Sequence, residues 1–227
     1  MLQVHISEHK LGVFIEGDYH DLRMLYKAIE AVVYSGLGDM KASERALYSM
    51  MFDTRKAMEG EREFDVFQNQ LDEAILQSLP VKDDTSIYYG YYVVLTEMMF
   101  ILLTLHKVNK NIIEDKYYYY LRMFISLVVN AFEEEGIDNS TMDEWFKQAP
   151  TYSLSNYYHQ YVEVWTLRLL EANEEERLAL VEECLYDMVR FGEAYDSLVD
   201  EVNTYAKENS CEPSEITYID SLENLEY

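Results

Sequence analysis

From Thr85 onward the apolar residues recur at helical spacing for almost the whole remainder of the chain. That run limits the fold more than any other feature. Only 8 Gly and 3 Pro punctuate the 227 residues, so few turns are marked and long helices are favoured over many short strands. Segments 86–107 and 114–135 are strongly apolar and adjacent, and they are expected to form an antiparallel helix pair. STMDEWF carries a capping-box pattern, Thr141 to Glu144, that starts a short helix. Ser155 is placed to cap the helix SNYYHQYVEVWTLRLLEA. A last helix is expected after Asn173. Its apolar or small positions 178, 181, 185, 188, 192, 195, 199, 202 and 206 alternate steps of three and four, the seam of a coiled-coil-like helix. At roughly 1.5 Å per residue, 174–206 would reach about 50 Å as one helix. Gly192 sits on the seam, where it marks a kink or a close crossing.

The N-terminal part reads differently. Leu2, Val4 and Ile6 share one face, as do Leu11, Val13 and Ile15 after the break at SEHK, which predicts a β-hairpin with one side buried. Asp18 is a good N-cap for a helix carrying Leu22, Leu25, Ile29 and Val32, stopped by Gly36. A second helix is expected from about Lys41 to Glu59. REFDVFQ alternates and is read as a third strand pairing with the hairpin, and NQLDEAILQSL as a short helix ending before Pro80. The expected fold class is α+β, predominantly α: a helical bundle with a small N-terminal antiparallel sheet. A single domain over 1–207 is expected, followed by an acidic tail, 208–227, whose ITYI either adds a strand or docks on a partner.

The formal net charge is −25, and residues 141–227 hold 5 basic against 20 acidic groups. A surface of that sign repels phosphate backbones and anionic lipid, so neither nucleic acid nor membrane is an expected partner. A basic protein partner is compatible with it. Cys184 and Cys211 are the only cysteines and are read as free thiols in a reducing cytoplasm. MLQVHISEHK has no apolar core after a basic start, unlike a signal peptide. Residues 88–105 are apolar enough to suggest a span, but Glu97 near their middle makes a buried helix the better reading.

GDYHDLRMLYKAI, followed by MFDTRKAMEGEREFDVFQNQLDEA, resembles the opening of an uncharacterised bacterial family of unknown function. The matching positions are Gly17, Asp18, Tyr19, Asp21, Leu22, Leu25, Tyr26 and Ile29, then Asp53, Arg55, Gly60, Arg62, Glu63, Asn69 and Asp72. The likeness covers about 70 residues and implies no activity.

Three groups of residues invite a functional reading. Asp53, Arg55 and Arg62 lie near a sheet–helix junction, where guanidinium groups bind a carboxylate or phosphate, or simply pair with neighbouring acids. Glu97 and Glu163 sit among apolar neighbours, and a carboxyl buried without a partner has its pKa raised, as in general acids. His159 precedes Glu163 by one helical turn. Two such ligands are too few for a metal site, so no metal or other cofactor is expected. Arg122 and Arg168, in the same apolar helices, are placed to neutralise the two acids. The third group is the tyrosines, 21 in all, among them Tyr118 in the run Tyr117 to Tyr120. Their rings point almost all round a helix axis, so two are expected in the core and the others at a rim or in a groove between helices 86–107, 114–135 and 155–171. Nucleophile-elbow, P-loop, dinucleotide and CxxC motifs are absent from the sequence.

The expected function is non-enzymatic: an interaction or assembly protein using the tyrosine groove or the final helix, with a homodimer across the long seam as the simplest assembly. The rival is an enzyme working through Glu97, Glu163 and His159. A third reading is an acidic mimic of nucleic acid that binds a basic protein. Convergence of those three residues in a pocket separates the rival from the others.

Overall fold

The computed structural model describes residues 1–35, 41–69, 72–78, 80, 84–148, 157–190 and 192–219. Strands β1 (Gln3–Ile6) and β2 (Gly12–Gly17) form the expected hairpin, with Val13 and Ile15 fully buried. Helix α1 (Tyr19–Tyr34) starts at a capping box. One oxygen of Asp18 accepts from the backbone N–H of His20 and Asp21 at 2.7 and 2.9 Å, and Asp21 answers onto the N–H of Asp18 at 3.3 Å. Ser35 is its C-cap, and the stop expected at Gly36 lies outside the described residues. Helix α2 (Lys41–Met58) follows, and Gly60, at φ +75°, turns the chain into β3 (Glu63–Gln68). The short α3 (Glu73–Ser78) is capped by Asp72, which accepts from the N–H of Ala74 at 2.9 Å.

The expected apolar helix over 86–107 is in fact two elements. Strand β4 (Thr85–Val94) runs without a loop into α4 (Leu95–His106). Apart from Gly90, IYYGYYVV is made of β-branched and aromatic residues, which fit a pleated surface better than a helix. Its apolar residues show no alternation, because both faces of the strand carry rings. The sheet order is β1-β2-β4-β3, all antiparallel. β3 therefore pairs with β4 and not with the hairpin, contrary to expectation.

Helix α5 (Asp115–Glu134) packs on α1 and β1 as well as on α4. Helix α6 (Asn139–Gln148) begins earlier than the Thr141 pattern predicts: Asp138 accepts from the N–H of Ser140 at 3.0 Å. Helix α7 (Tyr158–Glu171) lies against α4, and the cap expected at Ser155 lies outside the described residues. The single long final helix is replaced by α8 (Glu174–Arg190) and α9 (Glu193–Asn209). Gly192 caps α9 in an extended conformation, so the even seam does not make one rod. Val181, Tyr195 and Val202 of that seam are buried in the chain's own core, so at these positions the chain covers its own seam.

One layer of helices covers one face of the sheet. Val13, Ile15, Tyr91 and Val93 point into it; Phe14, Glu16, Tyr88 and Tyr92 point out. Arg177 ties α8 to the hairpin turn by donating to the carbonyl of His9, and to Leu169 O at 3.2 Å. The first part of the acidic tail is also docked. Gln160, buried in α7, donates to the carbonyls of Pro213 and Ile216 at 2.9 and 3.0 Å. Among the described residues, no helix is long and apolar enough to cross a membrane.

Candidate functional site

Glu97, His159 and Glu163 line one cavity of about 250 Å³ between α2, α4 and α7. The first turn of α4 supplies Glu97, and one turn of α7 supplies the other two. Val94, Phe100 and Val162 form apolar walls, and Ile219 of the tail forms another. His159 Nε2 stands 2.9 Å from Glu163 Oε1, a close contact without the alignment of a good hydrogen bond, and an ion pair when the imidazole is protonated. The other oxygen of Glu163 accepts from the backbone N–H of Tyr218 at 2.8 Å.

Glu97 is half-buried and faces the cavity. Burial first, and the nearby Asp53 second, push its pKa up to about 7; His159, a hydrogen bond from Ser49 and Arg45 act the other way. Among the described residues no basic group lies within 4 Å of its carboxylate as an ion pair. The expected neutralising arginines are engaged elsewhere. Arg122 Nη1 meets His106 Nδ1 at 3.3 Å, and Arg168 lies over the Trp165 ring at 4.6 Å. Arg45 and Ser49 of α2 line the cavity instead, one helical turn apart on the face that closes it, with Arg45 beyond ion-pair distance of Glu97. Their spacing was visible in the sequence, but nothing there pairs α2 with α7. Among the described residues no group of three metal-ligating side chains occurs.

The Asp53, Arg55 and Arg62 group does not converge. Arg62 places Nε and Nη2 at 3.2 and 2.8 Å from one oxygen of Asp53, fastening the start of β3 to α2. Arg55 turns instead to Glu59, at 3.8 Å, and to the ring of Phe52. Tyr118 is half-buried and meets Tyr119 edge-on; Tyr117 and Tyr120 are also half-buried, and Tyr119 points to solvent. None of the four is fully buried. Tyr120 reaches across to α1, donating to the Asp21 carbonyl at 2.9 Å. The tyrosine rings that do lie in the core are Tyr91, Tyr158, Tyr161 and Tyr195. Of the three helices expected to frame a groove, α5 packs toward α1 and β1 as well as α4, while α7 packs toward α4 and α8.

A second recess lies on the open face of the sheet. β2 sends out Phe14 and Glu16, β4 sends out Tyr88 and Tyr92, and β3 adds Glu63 and Asp65, around a cavity of about 180 Å³. Gly90 makes it possible. A Cβ there would stand 2.3 Å from the Phe14 ring, so only glycine lets that ring lie across the sheet. Phe14 and Tyr92 have ring centroids 4.7 Å apart. Burial and then Asp65 raise the pKa of Glu16, and His5, 3.7 Å away, opposes them. Strict alternation in GVFIEG already placed Phe14 and Glu16 on one face. The partner strand was hidden, because β4 was read as helix.

Beyond this recess β3 is exposed along its whole length. Phe64, Val66 and Ile87 extend the core-facing side of the sheet past the helices, with 60%, 58% and 43% exposure. Asn69 closes this arm onto β4, with its N–H and Nδ2 at 2.8 and 3.1 Å from Asp84 O. The residues of the N-terminal sequence pattern are thus caps, turns and junction pairs in this structure, namely Asp18, Asp21, Gly60, Arg62 with Asp53, Asn69 and Asp72.

Comparison with curated proteins and with solved structures returned no match. The model of a family described as a domain of unknown function, DUF6904, matches residues 2–227, and the chain belongs to that family.

Proposed function

We propose that this protein is an interaction module whose open sheet face docks a basic side chain of a partner protein. The observation that carries the reading is the recess on that face, where the rings of Phe14, Tyr88 and Tyr92 stand among the carboxylates of Glu16, Glu63 and Asp65. A guanidinium or ammonium group is attracted by aromatic faces and by carboxylates together, and a site offering both favours it over any neutral group. The chain's net charge of −25 steers such a partner from a distance. The outer edge of β3, unpaired among the described residues, and the exposed Phe64 and Val66 beside it offer backbone and apolar contacts for the flanking residues of the partner.

The test is a titration of the labelled protein with short peptides that differ only in a central Arg, Lys, Gln or Glu. Amide shifts confined to β2, β3 and β4, with Arg or Lys binding at least ~10-fold tighter than Gln, support the reading. A Phe14→Ala, Asp65→Asn variant should lose that preference. Equal binding of the Gln and Arg peptides, or shifts elsewhere on the molecule, would sink it.

A further inference from the structure

The cavity between α2, α4 and α7 is remote in character from the sheet face, and its chemistry points to a different kind of ligand. It is enclosed by Val94, Phe100 and Val162, and its polar end carries the carboxylates of Glu97 and Glu163. A pocket with apolar walls and a few placed polar groups is the usual form of a small-molecule site. At about 250 Å³ it takes a compact organic molecule and not a polymer.

We propose that this cavity binds a small organic amine, with its ammonium group on Glu97 and its apolar body against Phe100 and Val162. The charges around Glu97 favour this choice over an organic acid. α2 contributes Arg45, Ser49 and Asp53, and α7 contributes His159 and Glu163. Arg45 is an exposed residue of α2, so its guanidinium stands at the rim. Asp53 already holds Arg62, and His159 lies against Glu163. Glu163 spends one oxygen on His159 and the other on the Tyr218 N–H. Glu97 retains the acceptor capacity, with Ser49 as its hydrogen-bond partner and, among the described residues, no cation within ion-pair distance. An ammonium ion supplies the missing counter-charge and donates up to three hydrogen bonds. An anionic ligand would instead meet two carboxylates and the field of a strongly acidic protein.

Binding of the cation requires Glu97 to be ionised. The amine therefore displaces a proton whenever the free carboxyl still holds one. With the free group titrating near 7, the competent fraction rises about 10-fold from pH 6 to pH 8, and the affinity rises with it.

The experiment is calorimetric titration of the intact protein with isopentylamine, and with isopentanol and isovalerate as shape-matched controls. A dissociation constant at or below about 1 mM is expected for the amine at pH 8, within reach of a six-atom ligand. It should weaken about 10-fold at pH 6, and proton release should show as a dependence on buffer ionisation heat. The alcohol should bind at least ~10-fold more weakly and the acid not measurably. In the amide spectrum the Tyr218 and Ser49 signals should move. Glu97→Gln, which keeps the shape of the side chain, should remove both the binding and its pH dependence. Binding of isovalerate as tight as the amine, an affinity flat between pH 6 and 8, or no heat with the amine would each overturn the proposal. So would amine-induced shifts confined to Phe14 and Tyr92, which would place the amine in the sheet recess and leave the interaction reading intact.

Discussion

The Phe14 ring occupies the space that a side chain at position 90 would take, with its nearest atom 2.3 Å from where a Cβ would stand. Gly90→Ala must therefore push the ring aside. Phe14 is half-buried on the open face, so the ring has room to swing. Its lost packing is offset by the gain of replacing a strand glycine, about 0.5–1 kcal/mol. Denaturant unfolding should show a change within about 1 kcal/mol. The recess should nevertheless be lost, and near-UV circular dichroism from the displaced Phe14 and its neighbour Tyr92 should change. A fully preserved aromatic signal would show that the contact is not as tight as the backbone implies.

Glu97 makes folding stability depend on pH in an unusual direction. Its pKa in the fold is raised to about 7 from an ordinary 4.5. Between those values the unfolded chain has lost a proton that the folded chain keeps, so stability falls as pH rises through this window. Below about 4.5 both states hold the proton and the effect vanishes. Above 7 the full penalty, on the order of 2–3 kcal/mol once the cavity's access to water is allowed for, is present. Glu97→Gln carries no such penalty. Its midpoint in denaturant should match the parent near pH 4.5, exceed it progressively up to pH 7, and stay ahead above that. An advantage that is the same at pH 5 and pH 8 would mean that the carboxyl is not forced to keep its proton.

Much of this was written plainly in the chain. The capping signal at Asp18, the hairpin alternation and the apolar faces of α1 and α2 are local patterns, and local patterns survive into the fold. The convergence of Glu97, His159 and Glu163 was partly legible, since each is an acid or base set among apolar neighbours on a helix. Their shared cavity was not, because it depends on α7 packing across α4, a contact between residues about 60 apart. β4 was misread because a strand with rings on both faces loses the period of two. The break at Gly192 was marked by its glycine, yet the even seam around it outweighed that one signal. A regular 3-4 spacing says which residues are buried and leaves open what buries them.

Gln160 sits inside α7 and holds the tail through the carbonyls of Pro213 and Ile216. Gln160→Leu removes both bonds. The two freed carbonyls lie on an outer segment and can turn to water, so the global cost should stay near 1–2 kcal/mol. The local effect should be larger. The Tyr218 amide, which donates to Glu163, should exchange with solvent at least ~10-fold faster, because the segment that presents it is no longer pinned. Hydrogen exchange resolved by residue measures both. Unchanged protection at Tyr218 would show that Glu163 and the packing of Ile216 hold the tail unaided.

Val181 distinguishes an internal seam from a surface one. It is fully buried in α8, one turn from the equally buried Cys184, and both belong to the main core. Val181→Asp would place a carboxylate in that apolar core, and Arg168, the cation that acts on the neighbouring Cys184, already lies over Trp165. Such a group costs several kcal/mol, against a total stability of about 5–15 kcal/mol for a typical domain. The expected outcome is a protein largely unfolded at 37 °C, or one whose unfolding midpoint falls by at least ~10 °C. Were the seam a contact between copies, the same change would leave a folded chain and alter only its sedimentation. Glu183→Ala, two positions further on and exposed, is the matched control and should change stability by less than about 0.5 kcal/mol. A folded Val181→Asp chain with parent-like stability would return α8 to the surface and reopen the case for a partner along it.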